Sequence, residues 1–308
     1  IARWRAYEDS VLQQLRAVDS RSLGTGADRV LHGVLLDQVE RDVGVRVCRL
    51  ELWGVASYVN GWQASLTDLA RVQPAGTDEL RALALQRARA IPRYIDNEVV
   101  LLQQGLRAGY SSPKVIVREV ISQLDSLLAA TPAQSPFSAP AQKDTTPAFQ
   151  SAYHAIVRDE INPAVRRYRT YLQEKYLPAA REELGVAANP DGRACYDAVV
   201  RQFSTVPMAA DDVYATGQLQ IRRLDAEMRP LALRLTGTED VTRAMRMIVS
   251  DPRFMFRTEA EIIATAQAAQ DRASAAMPRA FGLHTTVPVQ IQPYPEFRAK
   301  AGAPGQYQ

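Results

Sequence analysis

A helical period runs through almost every long segment of this sequence, and it limits the fold more than any other feature. From Leu80 the apolar positions Leu83, Ile91, Ile95, Val99, Leu102 and Leu106 fall mostly three or four apart, so they share one helix face. Pro92 lies inside that run and predicts a kink or a split. Gly105 and Gly109 offer a stop, after which Ser112 as N-cap and Pro113 at the first helical position restart the chain. The next helix should bury Ile116, Val120, Leu124 and Leu127. A further stretch from Gln150 to about Glu183 points Ile156, Ile161, Val165, Tyr168 and Leu172 inward, with Pro163 as a kink. The cleanest period starts near Asp211-Asp212, where Ile221, Leu224, Met228, Leu231 and Leu235 are spaced 3, 4, 3 and 4 and acidic residues sit at the positive helix end. Pro230 should bend its last turns. Thr258 to Glu261 matches a capping box and opens a last helix that ends by Gly282.

Two segments break the pattern. Residues 131–148 hold four prolines among Ser, Gln and Thr and suggest an extended linker or surface loop. Val287 to Pro293 alternates apolar and polar residues between prolines, the pattern of a short edge strand. The expected fold class is therefore all-α, long kinked helices in layers, with one short C-terminal edge strand. The expected division is a helical region over 1–130, a Pro-rich linker or loop over 131–149, and a second helical region over 150–308 that ends in the strand. A lone strand is marginal, so its sheet is expected outside this sequence. The opening Ile1-Ala2-Arg3-Trp4 has neither an initiator Met nor a leader's apolar core, so a removed leader or a start inside a longer product is expected.

Composition narrows the partners. The 308 residues carry 37 basic and 34 acidic side chains, interspersed, for a net charge of +3, which gives no reason to expect a nucleic-acid partner. At 46% hydrophobic the chain can bury a sizeable core, yet no window approaches the roughly 18 uninterrupted apolar residues of a membrane span. The length allows about two domains or one large helical one. Two cysteines exclude a cysteine-rich zinc module; Cys48 and Cys195 form either one long-range disulfide or two buried thiols.

Motifs with chemistry are scarce. His32, His154 and His284 lie far apart, and none has the i, i+4 spacing that aims two imidazoles at one zinc. No P-loop and no nucleophile elbow is present, and Gly24-Thr25-Gly26 is better explained as a turn between helices. Arg166-Arg167-Tyr168-Arg169 pairs basic groups with an aromatic, but flanking acids favour a solvated helix face. The segment from Glu51 to Trp62 is aromatic and favours core packing over a cleft wall. No carboxylate stands out as an acid of raised pKa.

Several segments, in order, resemble the bacterial family of domain of unknown function 885. The strongest runs from Cys195-Tyr196-Asp197 through Phe203-Ser204-Thr205 to Asp211-Asp212-Val213-Tyr214, Gly217, and the helix Ile221-Arg222-Arg223-Leu224-Asp225-Ala226-Glu227-Met228. Glu51-Leu52-Trp53 to Gly61-Trp62, Gly109 to Pro113, Asp251-Pro252-Arg253-Phe254 and Phe281-Gly282-Leu283 are similar to other parts of the same family. The resemblance implies the N-terminal helical half of a zinc-dependent metallopeptidase, one wall of a peptide cleft. Its HExxH zinc motif and downstream Glu ligand would lie in a C-terminal catalytic half outside this sequence. By that resemblance no catalytic residue and no zinc ligand falls in this chain, which alone should be inactive; the partners are the catalytic half and a peptide substrate. An edge strand beside a zinc helix holds peptide by backbone pairing, which singles out Lys300, Ala303 and Tyr307 as the substrate edge. Many relatives resemble exported or lipid-anchored proteins, and a Cys48–Cys195 bridge would suit the periplasm. The competing expectation is a helical binding or scaffold protein without chemistry.

Overall fold

The computed structural model describes residues 1–57, 61–285 and 287–293. Over these residues the fold is all-α, and no sheet is present among them; the β-type contact is a parallel bridge between Pro113 and Arg181. The chain divides into two compact units, Ile1–Ala210 and Asp211–Pro295, so the division falls at residue 210 and not within 131–149.

In the first unit α1 (Ala2–Ala17) and α2 (Gly26–Gly44) pack as a hairpin. Thr25 caps α2 by accepting from the Asp28 amide. A set of helices then builds the core: α3 (Trp62–Val72), α4 (Asp78–Arg107), α5 (Lys114–Ala129), α6 (Ala139–Lys143), α7 (Pro147–Ile156), α8 (Asn162–Tyr171) and α9 (Leu177–Ala179). The last helix of this unit, α10 (Gly192–Ser204), packs on α2 and on the 3-10 turn Val45–Cys48.

Helix α4 is the spine. Thr77 caps it by accepting from the Leu80 amide, with Asp78 and Glu79 in the first turn. It runs unbroken across Pro92, where the sequence predicts a kink or split. It also passes through Gly105 and ends at Arg107, with Gly109 at φ +83 taking the left-handed position that a helix end favours. Gly105 serves close packing instead of a stop. A Cβ there would stand 1.8 Å from the Leu52 carbonyl oxygen, so only glycine admits the 50–52 turn against α4. The buried stripe is Ala84, Ala88, Ile95 and Leu102, while Leu83, expected inward, is exposed. Alanine carries little hydropathy signal, yet it lets neighbouring helices approach closely, and that selects the face.

The expectations for the following helices hold in most positions. Helix α5 buries Val117, Val120, Ile121, Leu124 and Leu127, with Ile116 only partly covered. Ser112 does not cap it. Ser112 is buried; its hydroxyl donates to the Trp53 and Val55 carbonyls (2.6 and 3.1 Å) and its amide donates to the Tyr176 hydroxyl at 2.9 Å, so it ties three segments together. Ile156, Ile161, Val165, Tyr168 and Leu172 are all buried. Helices α7, α8 and α9 run on through two π-helical turns, Val157–Ile161 and Leu172–Tyr176. Each π turn contains the residue four before a proline, Asp159 before Pro163 and Glu174 before Pro178. A proline ring collides with the i−4 carbonyl and offers it no N–H; the wider turn relieves both problems without breaking the helix.

Residues 131–149 are no extended linker. They fold into the 3-10 turn Pro136–Ser138 and α6, and they bury Phe137 and Ala141 in the core. The prolines of these elements sit at first-turn positions, where a missing N–H costs nothing.

The second unit holds α11 (Ala210–Thr236), α12 (Val241–Ser250) and α13 (Glu259–Ala280). Thr258 accepts from the Glu261 amide, as the capping box requires. Helix α11 continues through Pro230. Within this unit only Ala232 and Ala244 are buried among the described residues, and the stripe Ile221, Leu224, Met228, Leu231 and Leu235 is exposed. Residues 287–293 form no strand. Pro288 and Pro293 lack amide donors, and no neighbouring strand is described for the rest to pair with.

Candidate functional site

The first unit contains an apolar cleft of about 270 Å³ between α3, α4 and α7. Leu66, Leu69 and Ala70 of α3 form one wall, Ala84, Ala88 and Ile91 of α4 the other, and Tyr153 of α7 contributes from the third side. Three polar side chains reach it, Gln73 from the residue after α3 and Arg87 and Tyr94 from α4. The Arg87 guanidinium donates to Gln73 Oε1 at 2.5 Å and has no carboxylate partner among the described residues.

One turn beyond Tyr94, Glu98 is half-buried. Its carboxyl is pushed up by desolvation, opposed by a hydrogen bond from the Tyr94 hydroxyl. Burial, and then the same carboxylate, raise Tyr94 in turn. Tyr168 is fully buried and raised by desolvation, and it stands edge-on to Trp62 with ring centroids 5.2 Å apart. Burial pushes the Tyr153 phenol up to about 12, so it stays protonated and uncharged in the cleft wall. The arrangement offers an apolar trough with one cation, Arg87, in its lining and a half-buried carboxyl, Glu98, one turn beyond Tyr94, which suits binding and orienting a small amphiphile.

Sequence reasoning does not single out Arg87, Tyr94 or Glu98, although it places Ile91 and Tyr168 on apolar helix faces. Arg87, Ile91, Tyr94 and Glu98 are spaced 4, 3 and 4, a stripe beside the buried one, and that spacing is the available signal. Hydropathy favours the adjacent apolar stripe.

The residues that the sequence does single out are dispersed. Cys48 and Cys195 are joined as a disulfide with Cα atoms 4.6 Å apart, linking the Val45–Cys48 turn to α10 across 147 residues. Between α2 and α10, Arg41 and Arg201 share the Asp37 carboxylate, and Arg41 also donates to the Gln202 carbonyl at 2.6 Å. His32 contacts the Leu15 carbonyl at 2.9 Å, His154 is half-buried on α7, and His284 is exposed. Among the described residues no group of three or more His, Cys, Asp or Glu side chains is placed to hold a metal ion. Arg167 and Arg169 pair with Asp96 and Asp125, the ion-paired helix face. Trp53 is half-buried, donates to the Cys48 carbonyl at 2.8 Å and lies under the Arg181 guanidinium, while Leu52, Val55 and Trp62 of the same segment are buried. Lys300, Ala303 and Tyr307 lie outside the described residues. No described helix is long and apolar enough to cross a membrane.

Comparison with known proteins gives the fold a family. Among curated proteins none matches the chain. A solved structure of a Colwellia psychrerythraea protein, described provisionally as a lipoprotein, superposes with a TM-score of 0.80 at 17% identity. The match covers 98% of this chain and 55% of that one, so the chain spans about half the length of the protein it resembles. At that identity the likeness is one of fold. The family model for "Bacterial protein of unknown function (DUF885)" matches residues 1–308. The chain therefore belongs to the bacterial DUF885 family.

Proposed function

We propose that this chain is the helical half of a zinc-dependent peptidase, one wall of its substrate cleft, with zinc and its ligands supplied by polypeptide outside residues 1–308. The supporting observation is the span: the fold matches 98% of this chain but 55% of a similar protein, and α11 keeps its cleanest apolar stripe exposed. The five large apolar side chains of that stripe are 38–60% exposed, and burying the remaining apolar surface is favourable, so a covering surface is expected. Lys300, Ala303 and Tyr307 remain the proposed substrate edge, by the backbone-pairing argument. An extracytoplasmic location is part of the same proposal, supported by the Cys48–Cys195 disulfide, since such bonds persist in oxidising compartments.

The test is made on the longer protein. Metal analysis by mass spectrometry should find close to one zinc per chain. Hydrolysis of an unstructured peptide mixture should stop with chelator and return with zinc, and Ala303→Pro should raise KM. A metal-free protein that leaves every peptide intact sinks the reading in favour of a helical binding protein, a class that the apolar cleft in the first unit also suits.

A further inference from the structure

We propose that the cleft between α3 and α4 binds a small amphiphilic monocarboxylate, its apolar tail along Ala88 and Ile91 and its carboxylate on Arg87. The inference goes beyond the peptidase reading and does not depend on it. Three observations carry it. The walls are almost wholly apolar, so water in the cleft makes few hydrogen bonds and an aliphatic or aryl group displaces it at a gain. The volume of about 270 Å³ is just below the roughly 300–1,000 Å³ of pockets for drug-sized ligands, which selects a small molecule and excludes a folded partner. Charge then selects the head group. Arg87 reaches the cleft with one described contact, the Gln73 amide oxygen, leaving other guanidinium donors for a planar anion that takes them two at a time.

The orientation follows from α4. Arg87 and Tyr94 are seven residues apart, about 10 Å along a helix. Beyond Tyr94 stands the Glu98 carboxyl, which repels an anion whenever it is ionised. The head group is thus directed to Arg87 and away from Glu98, and the tail lies against apolar walls that include the uncharged Tyr153 phenol. An alkylamine in this same orientation would face Arg87 and is disfavoured.

The experiment is isothermal titration of the full-length protein with octanoate, octanol and octylamine at neutral pH, below their aggregation limits. Octanoate should bind at least about tenfold tighter than octanol, the worth of a hydrogen-bonded charge, and octylamine weakest. Arg87→Gln, at an exposed position that leaves folding intact, should remove the preference for octanoate while octanol binding stays. Leu69→Glu, on the half-exposed rim, should weaken octanoate most. Octanol binding as tightly as octanoate, Arg87→Gln without effect, or no binding of any of the three would each overturn the proposal. Peptide hydrolysis is not the readout, so its presence or absence leaves the result unaltered.

Discussion

At the scale of single residues, a few side chains hold positions that no other residue type could. Gly105 admits the Leu52 carbonyl against α4, and Gly105→Ala would force that turn away from the helix. The expected cost is about 1–3 kcal/mol, the usual penalty of overpacking a tight contact, read as a lower midpoint in urea unfolding with unchanged slope. Asp144 is the electrostatic counterpart. Its side chain is 3% exposed, pairs with Arg81 at 2.7 Å and accepts the Thr146 amide at 2.9 Å. That backbone hydrogen bond and the guanidinium hold its carboxyl at about 2, well below the usual carboxylate range. A depressed carboxylate contributes stability above its unfolded pKa and loses it as pH falls through the folded one. Asp144→Asn should therefore lower thermal stability at neutral pH, and the gap to the parent protein should close between about pH 4, the ordinary aspartate pKa, and about pH 2. A gap that persists unchanged at the acid end would show that shape, and not charge, is what Asp144 supplies.

At the scale of elements, the long helices survive their prolines by different means. Pro163 and Pro178 are accommodated by π turns, whereas Pro92 and Pro230 sit in helices that carry on as α. The α10 region is held by a covalent link. The Cys48–Cys195 disulfide closes a loop of 147 residues between α10 and the Val45–Cys48 turn, and Arg201 of α10 also pairs with Asp37 of α2. Closing a loop that long restricts the unfolded chain, and removing such a bond typically costs about 2–5 kcal/mol. Cys48→Ala with Cys195→Ala, or reduction of the parent protein, should lower stability by that amount in denaturant titration. Thiol titration of unfolded, unreduced protein should find no reactive cysteine; two reactive thiols would remove both the cross-link and the argument for an oxidising compartment.

At the scale of the whole molecule, the two units differ in what they bury. The first has a continuous core from Val55 to Ala180, while the second buries little beyond Ala232 and Ala244. If the α11 stripe is covered in the longer protein, Ile221→Glu with Leu224→Glu buries two charges there at a cost of several kcal/mol. The same pair should leave residues 1–308 alone with unchanged helix content and melting temperature, because both side chains are exposed in them. Equal, negligible effects in the two proteins would mean the stripe faces solvent.

Period and punctuation in the sequence were sufficient for the all-α class, for the inward residues of 156–172, for the cap at Thr258 and for the acidic first turn of α11. Those signals are local: they depend on side chains three or four apart and on backbone groups within one turn. The tertiary structure alone decided the rest. It turned Ser112 from an expected cap into a tie between segments, drew Phe137 and Ala141 of the proline-rich 131–148 segment into the core, and chose the alanine face of α4 over Leu83. The cleft exists only because α3 and α7 bring Leu66 and Tyr153 to the Arg87, Tyr94 and Glu98 stripe. Which face of a helix is buried, and which polar groups end up beside a cavity, depends on partners distant in sequence, and a period of 3.6 residues carries no information about them.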